Sequence, residues 1–279
     1  MTLEQLLRTS RELLAKHRID DAAFEAEVLL RHALNISRSQ LIVESCHEVS
    51  LDENERYRGI VARRLTGEPT AYITGHREFF GLDFEVDRRV LIPRPETELL
   101  VEKTIQIAGD SDVSIADIGT GSGAIAVSLA VSLPQAVIYA TDLSQDALDV
   151  ASSNCRKHGV ENRINLLAGD LLEPLPKPMD ILVANLPYVK KGILCDINTA
   201  GHEPSIALDG GIDGLDQIRR LCSQLPGKLN NRGTVLLEIG YDQSDAVISF
   251  LNGCFPYART ELFRDLSGLP RMVTLSSLE

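Results

Sequence analysis

The sequence predicts an α/β fold with a doubly wound, mainly parallel sheet and a small N-terminal helical domain. Helix-capping signals before residue 70 predict the helical domain. After residue 95, short apolar runs alternate with helix-forming stretches, as in a parallel sheet covered by helices. With 279 residues, 44% of them hydrophobic, the chain can bury a large core and exceeds one average domain. We expect a helical domain over residues 1–69, a β-hairpin linker over 70–94 and a sheet domain over 95–279.

Four short helices are predicted before residue 70. Three of them follow the Ser/Thr-x-x-Glu/Gln spacing of a capping box, namely Thr2 with Gln5, Ser37 with Gln40 and Ser50 with Glu53. The remaining helix would begin after Asp20 or Asp21 and cover residues 22–34. Further along, apolar and acidic residues alternate over 82–86, which predicts a strand paired in a hairpin with residues 70–74.

A glycine-rich turn joins the first predicted core strand, residues 113–118, to a helix that begins at residue 124. Alternating glycines let a backbone approach a ligand closely, and we expect the helix N-terminus to offer unpaired N–H groups to a carboxylate. The spacing departs from the Gly-x-Gly-x-x-Gly dinucleotide fingerprint, and a plain tight turn is the alternative interpretation. The candidate ligand-binding residues are Gly119, Thr120, Gly121, Ser122 and Gly123.

The next two predicted strands also end in acidic residues. The strand over 136–141 is followed by Asp142, at the position where an acidic side chain accepts hydrogen bonds from ribose hydroxyls. Its alternative role is to cap the following helix, but Ser144 is already a good N-cap for that helix. The strand over 164–168 is followed by Gly169 and Asp170, and Asp170 could accept from an adenine amino group.

A fourth strand, over 181–184, is followed by Asn185-Leu186-Pro187-Tyr188. Proline cannot remain in a strand ladder, so the strand ends here. The Asn185 side-chain oxygen and the Leu186 carbonyl could accept both hydrogens of a planar amino group, and Tyr188 offers an aromatic face. The alternative interpretation is an ordinary turn that ends a strand. Since ligands bind beyond the carboxyl ends of strands in such sheets, we expect function at these residues.

Composition and charge exclude several classes of protein. The net charge of −12 speaks against a nucleic-acid backbone as partner. Adjacent basic residues occur only as short pairs, such as Arg63-Arg64, Arg88-Arg89, Lys190-Lys191 and Arg219-Arg220. No apolar run has the length of a membrane span, and the N-terminus opens with an amphipathic helix. The five cysteines, at positions 46, 155, 195, 222 and 254, have no metal-ligand spacing. We expect isolated buried thiols, no metal site and a cytoplasmic location.

These motifs resemble the class I S-adenosylmethionine-dependent methyltransferases and, more narrowly, the release factor glutamine methyltransferases. The motifs of the broader class occur in its order: Asp117-x-Gly119-x-Gly121-x-Gly123, Asp142, Gly169-Asp170 and Asn185-x-Pro187-Tyr188. The narrower resemblance covers almost the whole chain and rests on four further runs: Gly67-Glu68-Pro69 to Gly75, Leu91-Ile92-Pro93-Arg94-Pro95-Glu96-Thr97-Glu98, Glu203-Pro204 to Leu215, and Asp265-Leu266-x-Gly268-x-Pro270-Arg271.

The resemblance implies S-adenosylmethionine as cofactor and peptide chain release factors as protein partners. The substrate would be the glutamine of the Gly-Gly-Gln tripeptide, methylated on its side-chain nitrogen N5. Asn185 and Tyr188 would be catalytic, Asn185 to Tyr188 would bind the substrate, and Asp142, Asp170, Leu171 and Asn185 would join the glycine loop in holding the cofactor.

Two residues depart from the family pattern, and three other functions stay open. Leu186 stands where the family usually has proline, and Leu171 where an aromatic residue is common; we expect a less preorganised turn with activity retained. A nucleic-acid amino methyltransferase has a similar turn but needs a cationic surface. A cofactor-binding regulatory module would bind without turnover, and a nicotinamide-dependent oxidoreductase is disfavoured by the glycine spacing.

Overall fold

The N-terminal helices form a unit of their own, Met1–His76. The structure, a computed structural model, describes residues 1–196 and 201–276. Its first five helices are α1 (Leu3–Lys16), α2 (Ala22–Leu34), α3 (Arg38–Val43), α4 (Leu51–Leu65) and α5 (Thr70–Thr74). Leu14, Leu29, Leu30 and Tyr57 are fully buried at the centre of this unit. The Tyr57 hydroxyl donates to the Ala26 carbonyl at 3.1 Å, so its burial leaves no orphan donor.

The three predicted capping boxes are confirmed, because the side chains of Thr2, Ser37 and Ser50 each accept from the backbone N–H three residues on. Helix α2 begins after Asp21, as expected, but the Asp21 side chain makes no capping hydrogen bond. Its backbone lies in the left-handed region instead, with φ at 50°. Helix α2 therefore starts where the sequence predicts, without the side-chain contact that prompted the prediction.

The predicted partner of the hairpin strand is wrong. Residues 70–74 form helix α5, which ends at Gly75 with φ at 77°, a conformation that glycine adopts without strain. The hairpin consists of β1 (His76–Phe79) and β2 (Leu82–Glu85). Phe80 and Gly81 link the strands with φ values of 52° and 71°, and two positive φ values are what a two-residue type I′ hairpin turn needs.

The second unit, Arg77–Glu279, contains the sheet domain. A short 3₁₀ helix at Pro95–Thr97 leads into it, and two more lie at Lys191–Asp196 and Ser205–Ala207. Its helices are α6 (Glu98–Ala108), α7 (Ala124–Ser132), α8 (Gln145–Lys157), α9 (Asp216–Gln224) and α10 (Ser244–Cys254). Its core strands are β3 (Ser114–Ile118), β4 (Val137–Asp142), β5 (Ile164–Ala168), β6 (Met179–Ala184), β7 (Leu229–Glu238), β8 (Arg259–Arg264) and β9 (Pro270–Ser276).

The seven core strands form one sheet in the order β5-β4-β3-β6-β7-β9-β8. Strands β3 to β7 pair in parallel, whereas β9 pairs antiparallel with β7 and with β8. The predicted doubly wound, mainly parallel sheet is confirmed. Its strand order reverses between β3 and β6, and such a switch point is where an open α/β sheet binds ligands. All five residues of β3 are buried, as its central position requires.

The cysteines are less uniformly buried than the sequence suggested. Cys155 and Cys222 are buried, and burial raises the pKa of these thiols to about 11 and about 12. Cys46 and Cys254 are exposed, so the expectation of burial is wrong for those two, and the side chain of Cys195 lies outside the described residues. In the described part of the chain, no helix is long and apolar enough to cross a bilayer. Nor does any group of three His, Cys, Asp or Glu side chains there form a potential metal site.

Candidate active site

A cavity of about 810 Å³, partly open to solvent, lies where β3, β4, β5 and β6 end. Six of the nine residues predicted to bind the cofactor line it: Gly119, Gly121, Asp142, Asp170, Leu171 and Asn185. The glycine loop and the turn after β6 are therefore on the same side of the sheet and face one common space.

The glycine loop shapes the floor of this cavity. Gly119, Gly121 and Gly123 have φ values of 73°, 56° and 80°, which favour glycine at all three positions. A Cβ on Gly119 would meet the Leu186 side chain at 3.4 Å, and one on Gly123 would meet Ala151 at 3.2 Å. The loop is thus closely packed against its neighbours, and side chains there would narrow the floor.

The backbone amides of Gly119, Thr120 and Gly121 are paired within the chain. The amides of Gly119 and Thr120 both donate to the Thr141 carbonyl at 2.9 Å. The Gly121 amide donates to the Asp142 carboxylate at 2.9 Å. The end of the neighbouring strand β4 thus supplies the acceptors for these three amides, and at the N-terminus of helix α7 the Ala126 amide donates to Asp117 Oδ2 at 3.2 Å. These three amides therefore have acceptors within the chain, and the glycines let a ligand approach the backbone closely.

Three predicted cofactor residues lie behind the cavity wall rather than in it. The Thr120 hydroxyl donates to the buried carboxylate of Asp117 at 2.6 Å. The carbonyl of Ser122 accepts from the Asn154 side chain at 2.9 Å. Gly123 packs on Ala151 in helix α8. In this structure these three residues hold the loop in place, while Gly119 and Gly121 face the cavity.

Two carboxyl groups lie under the loop in an unusual electrostatic environment. Asp117 is completely buried, and desolvation raises its pKa to about 7, although Thr120 and Ala126 donate to its Oδ2. Its Oδ1 has no hydrogen-bond partner within the described residues. Burial also raises the pKa of Asp142, whose Oδ1 accepts from the Ser144 amide at 2.9 Å. The two groups repel each other when both are ionised.

The raised pKa of Asp117 predicts a pH-dependent stability. An unfolded Asp has a pKa of about 3.9, so the contribution of Asp117 is fully present below that value and is lost as pH rises through about 7. Asp117→Asn removes this titration but leaves a buried amide to satisfy. We expect the melting temperature of the wild type, relative to that of the variant, to fall between pH 5 and pH 8. Calorimetry at fixed ionic strength measures both melting temperatures. A difference between them that stays constant over this pH range would contradict the prediction.

Asp170 has a protein partner that the sequence did not indicate. Its Oδ2 accepts from Arg220 at 2.6 Å and from Gln224 at 3.3 Å, both on helix α9. Arg220 lines the cavity together with Asp170 and Leu171. A planar guanidinium held by a carboxylate offers a flat face of the kind that aromatic rings pack on. At this end of the cavity, Leu171 is therefore accompanied by Arg220.

A second cavity, of about 520 Å³, adjoins the first. The two cavities share Leu91, Asn185, Leu186, Pro187 and Ala207, and the second is also lined by Arg94, Tyr188, Val189 and Leu208. The turn that follows β6 therefore forms a wall common to both spaces. The turn can therefore contact a group in either cavity.

The polar groups of this turn are oriented by residues behind it. Asn185 Nδ2 donates to Thr97 Oγ1 at 3.0 Å, which leaves the side-chain oxygen for another donor. No donor in residues 1–196 or 201–276 bonds to that oxygen or to the Leu186 carbonyl. The Tyr188 hydroxyl donates to Glu238 Oε1 at 3.2 Å. Burial and the neighbouring Glu238 raise the Tyr188 pKa, so its hydroxyl stays protonated.

Two further segments hold the turn from outside. The Gln243 side chain donates from Nε2 to the carbonyls of Tyr188 and Gly214, at 3.0 and 3.3 Å, and accepts from the Gly240 amide at 2.8 Å. Gly210 packs on the turn, since a Cβ there would lie 2.7 Å from Tyr188 Cα and 2.8 Å from the Pro187 carbonyl oxygen. The turn is therefore enclosed by the backbone at Gly210 on one side and by the buried side-chain amide of Gln243 on the other.

Sequence reasoning left several residues of the site without a role. Leu91 and Arg94 come from the Leu91–Glu98 run, and Pro204, Ile206 and Ala207 follow Glu203. The buried Glu203 joins these runs, because it pairs with Arg94 at 2.6 Å and accepts from the Ile92 amide at 3.1 Å. The motifs that contain these two runs could have indicated that the runs belong to the site. The sequence around Gln217, Arg220 and Glu238 has no motif that indicates a role in the site.

Comparisons with known proteins agree with this geometry. A family model described as "PrmC N-terminal domain" matches residues 5–75, and one described as "Methyltransferase small domain" matches residues 95–199. The release factor glutamine methyltransferase of Moorella thermoacetica is 42% identical over 277 residues, 97% of each chain. The protein of that name from Bacillus cereus is 34% identical over 282 residues, 98% of each chain.

A solved methyltransferase structure from Pyrococcus furiosus has the same fold, with a TM-score of 0.53 at 17% identity over 77% of this chain and 96% of that chain. The identity to the Moorella thermoacetica protein over almost the full length of both chains is high enough to show the family. The chain thus belongs to the release factor glutamine methyltransferases and is an enzyme that uses S-adenosylmethionine as its methyl donor.

Proposed function

We propose that this enzyme methylates the side-chain nitrogen N5 of the glutamine in the Gly-Gly-Gln tripeptide of peptide chain release factors. The observation that carries the proposal is the wall shared by the two cavities. Asn185, Leu186 and Pro187 line both, so one turn can contact the methyl donor on one side and the acceptor amide on the other. Relatives that carry this enzyme name match the chain over nearly its whole length.

The turn suits a planar primary amide. An amide nitrogen is a weak nucleophile because its lone pair is delocalised into the carbonyl. The Asn185 side-chain oxygen and the Leu186 carbonyl would accept the two amide hydrogens, which raises the electron density on nitrogen and fixes its direction. Tyr188 would pack against the amide plane in the second cavity. Its hydroxyl is held by Glu238, so the ring orientation is set before the substrate arrives.

The first cavity fits S-adenosylmethionine, which supplies an electrophilic methyl group when bound. Gly119 and Gly121 form a floor without side chains, which a bulky ligand needs. Asp142 would accept from ribose hydroxyls, since a carboxylate has more acceptor positions than its two backbone donors use. Leu171 and the Asp170–Arg220 pair would contact the adenine. Asn185, in the shared wall, would contact the cofactor from the side of the first cavity.

The ion pairs favour a protein substrate over a nucleic acid. Two basic residues in the cavity walls pair with acidic residues, Arg220 with Asp170 and Arg94 with Glu203. Arg89, in the wall of the first cavity, pairs with Asp87 at 2.7 Å. Nucleic-acid binding draws on cations that neutralise phosphates, and these cations are already neutralised within the chain.

Mass spectrometry of the release factor after incubation with S-adenosylmethionine tests the proposal. We expect one added methyl group on the glutamine of the tripeptide. A release factor in which that glutamine is replaced by asparagine is the matched control and should gain no methyl group. DNA and RNA oligonucleotides incubated with a labelled cofactor form a separate arm. Labelled nucleic acid with unmodified release factor would overturn the proposal.

The proposal also assigns roles to the parts of the chain. Residues 1–69 would recognise the protein substrate, and residues 95–279 would transfer the methyl group. Residues 70–94 would connect these two domains. Support comes from the N-terminal unit, which has a core of its own and yet leaves large apolar side chains in solvent: Phe24, Ile42, Val43 and Leu51. Exposed apolar side chains contribute to a surface that binds a protein where they adjoin one another, as Ile42 and Val43 do in sequence.

Val43→Glu is expected to raise KM for the intact release factor roughly tenfold, because Val43 is 83% exposed and would lose its apolar contact. KM for a short peptide with the Gly-Gly-Gln tripeptide should not change. Ile107→Glu, at a 44% exposed site on helix α6, is the control and should leave both values near wild type. Equal KM values for the wild type and Val43→Glu would contradict a recognition role at this position.

A further inference from the structure

One residue in the wall of the first cavity has a strained backbone. Leu171 has a φ of 49°, in the left-handed region that residues with a side chain seldom adopt. Six residues other than glycine have a positive φ in the described part of the chain, and among these Leu171 is the one that lines the first cavity. Such strain persists only where the surrounding structure holds it, and it occurs often at functional sites.

The peptide group that follows Leu171 is held at both of its polar atoms. The Thr141 hydroxyl, in strand β4, donates to the Leu171 carbonyl at 2.9 Å. The next amide, that of Leu172, donates to Gln224 Oε1 on helix α9 at 2.8 Å. The Leu171 carbonyl and the Leu172 amide belong to one planar peptide unit. Side chains from a strand and from a helix therefore fix the orientation of this unit.

The peptide group that precedes Leu171 is held as well. The Asp170 carbonyl accepts from the Glu173 amide at 3.0 Å, and the Asp170 side chain accepts from Gln224 Nε2 at 3.3 Å. To leave the left-handed region, Leu171 would have to turn one of these two peptide groups and break its hydrogen bonds. The strained conformation is therefore held from both sides.

We infer that Thr141 and Gln224 are positioning residues, which hold Leu171 in its strained conformation so that the cofactor meets a preformed wall. Together these two side chains form a clamp on the peptide group after Leu171. The inference rests on the proposed contact between Leu171 and the adenine of S-adenosylmethionine. Without the clamp, Leu171 would relax in the free enzyme, and binding of the cofactor would have to restore the strain, which lowers affinity.

Thr141→Val tests the inference, because valine has nearly the same size as threonine but no hydroxyl. The Thr141 carbonyl, which accepts from the Gly119 and Thr120 amides, belongs to the backbone and is retained. We expect Kd for S-adenosylhomocysteine to rise roughly tenfold, within the range that strain at one residue can produce. Thr141→Ser restores the hydroxyl and should return Kd to near the wild-type value. Calorimetric titration measures Kd for each variant.

Thr104→Val is the matched control. Thr104, on helix α6, is completely buried, as Thr141 is, and its hydroxyl donates to the Leu100 carbonyl at 2.7 Å. The control therefore makes the same chemical change at a residue that is not in the wall of the first cavity, and its Kd should stay near the wild-type value. Melting temperatures of both variants show how much stability each loses, so a change in affinity can be separated from a change in stability.

Substitutions at Leu171 separate the clamp from direct contact between residue 141 and the cofactor, since Thr141 also lines the first cavity. Alanine and glycine both lack the leucine side chain, but only glycine adopts a positive φ without strain. In the Leu171→Ala background, Thr141→Val should still raise Kd roughly tenfold, because the strain remains. In the Leu171→Gly background it should raise Kd by no more than about twofold, because glycine takes either sign of φ with similar ease.

The inference would be overturned if Thr141→Val bound S-adenosylhomocysteine as the wild type does, or if it raised Kd equally in the glycine and alanine backgrounds. If Thr141→Val does not fold, Gln224→Met in the same two backgrounds carries the test, since it removes the acceptor for the Leu172 amide. Failure of the proposed function gives a different result, namely a wild-type enzyme that leaves the release factor unmethylated. The Kd ratios are measured without a release factor and do not depend on that outcome.

Discussion

Replacing Asn185 by alanine is expected to lower kcat by roughly 100- to 1,000-fold, the usual effect of removing one group that stabilises charge in a transition state. The alanine variant lacks the oxygen that would accept a hydrogen from the substrate amide, and it also leaves Thr97 without its 3.0 Å donor. Single-turnover methylation of the release factor at saturating cofactor measures the effect without interference from product release.

Asn185→Asp and Tyr188→Ala complete this experiment. Aspartate keeps an acceptor oxygen but loses the N–H donated to Thr97, so we expect a smaller loss than with alanine. Tyr188→Ala removes the aromatic face in the second cavity and should also lower turnover. Near wild-type turnover in both alanine variants, with cofactor bound, would show that the turn does not perform the transfer.

A single methyl group on Gly210 is expected to lower kcat on the order of 100-fold, because displacing a reacting group by a fraction of an ångström to an ångström has effects of this size. The Cβ of Gly210→Ala would lie 2.7 Å from Tyr188 Cα and 2.8 Å from the Pro187 carbonyl oxygen. Both are backbone atoms and cannot rotate away, so the turn itself must shift. Steady-state kinetics with the release factor measures the loss.

Gly192→Ala is the matched control, since a Cβ at Gly192 meets nothing within 4 Å. It should keep the wild-type kcat. Gly210 is not in the wall of the first cavity, so calorimetric titration with S-adenosylhomocysteine should give similar affinities for both variants. A Gly210→Ala enzyme as active as Gly192→Ala would mean that the enclosure of the turn by residue 210 has no role in the reaction.

Much of the fold could be predicted because local signals agreed with the tertiary structure. The capping boxes place three helices, and the buried runs before Gly119, Asp142 and Asn185 place three central strands. The hairpin partner could not be predicted. Residues 70–74 include β-branched and aromatic side chains, which are common in strands, but they form a helix that ends at Gly75. Intrinsic preference is weak in so short a segment.

The site was predictable where its residues follow strands and not where they come from elsewhere. Asp142, Asp170 and Asn185 share a cavity because the carboxyl ends of parallel strands meet at one edge. Arg220 is on helix α9, and its contact with Asp170 depends on how that helix packs. Glu238 ends strand β7, but only the pairing of β6 with β7 brings it beside Tyr188.

The wall shared by the two cavities has a consequence for the design of inhibitors. A compound that joins a nucleoside portion to a glutamine-like amide needs only a short tether, because both cavities end at Asn185. Tethering makes the second contact intramolecular and raises the effective concentration of each portion for its own cavity. Selectivity among methyltransferases would then come from the amide end of the compound, where Arg94, Val189 and Leu208 surround it.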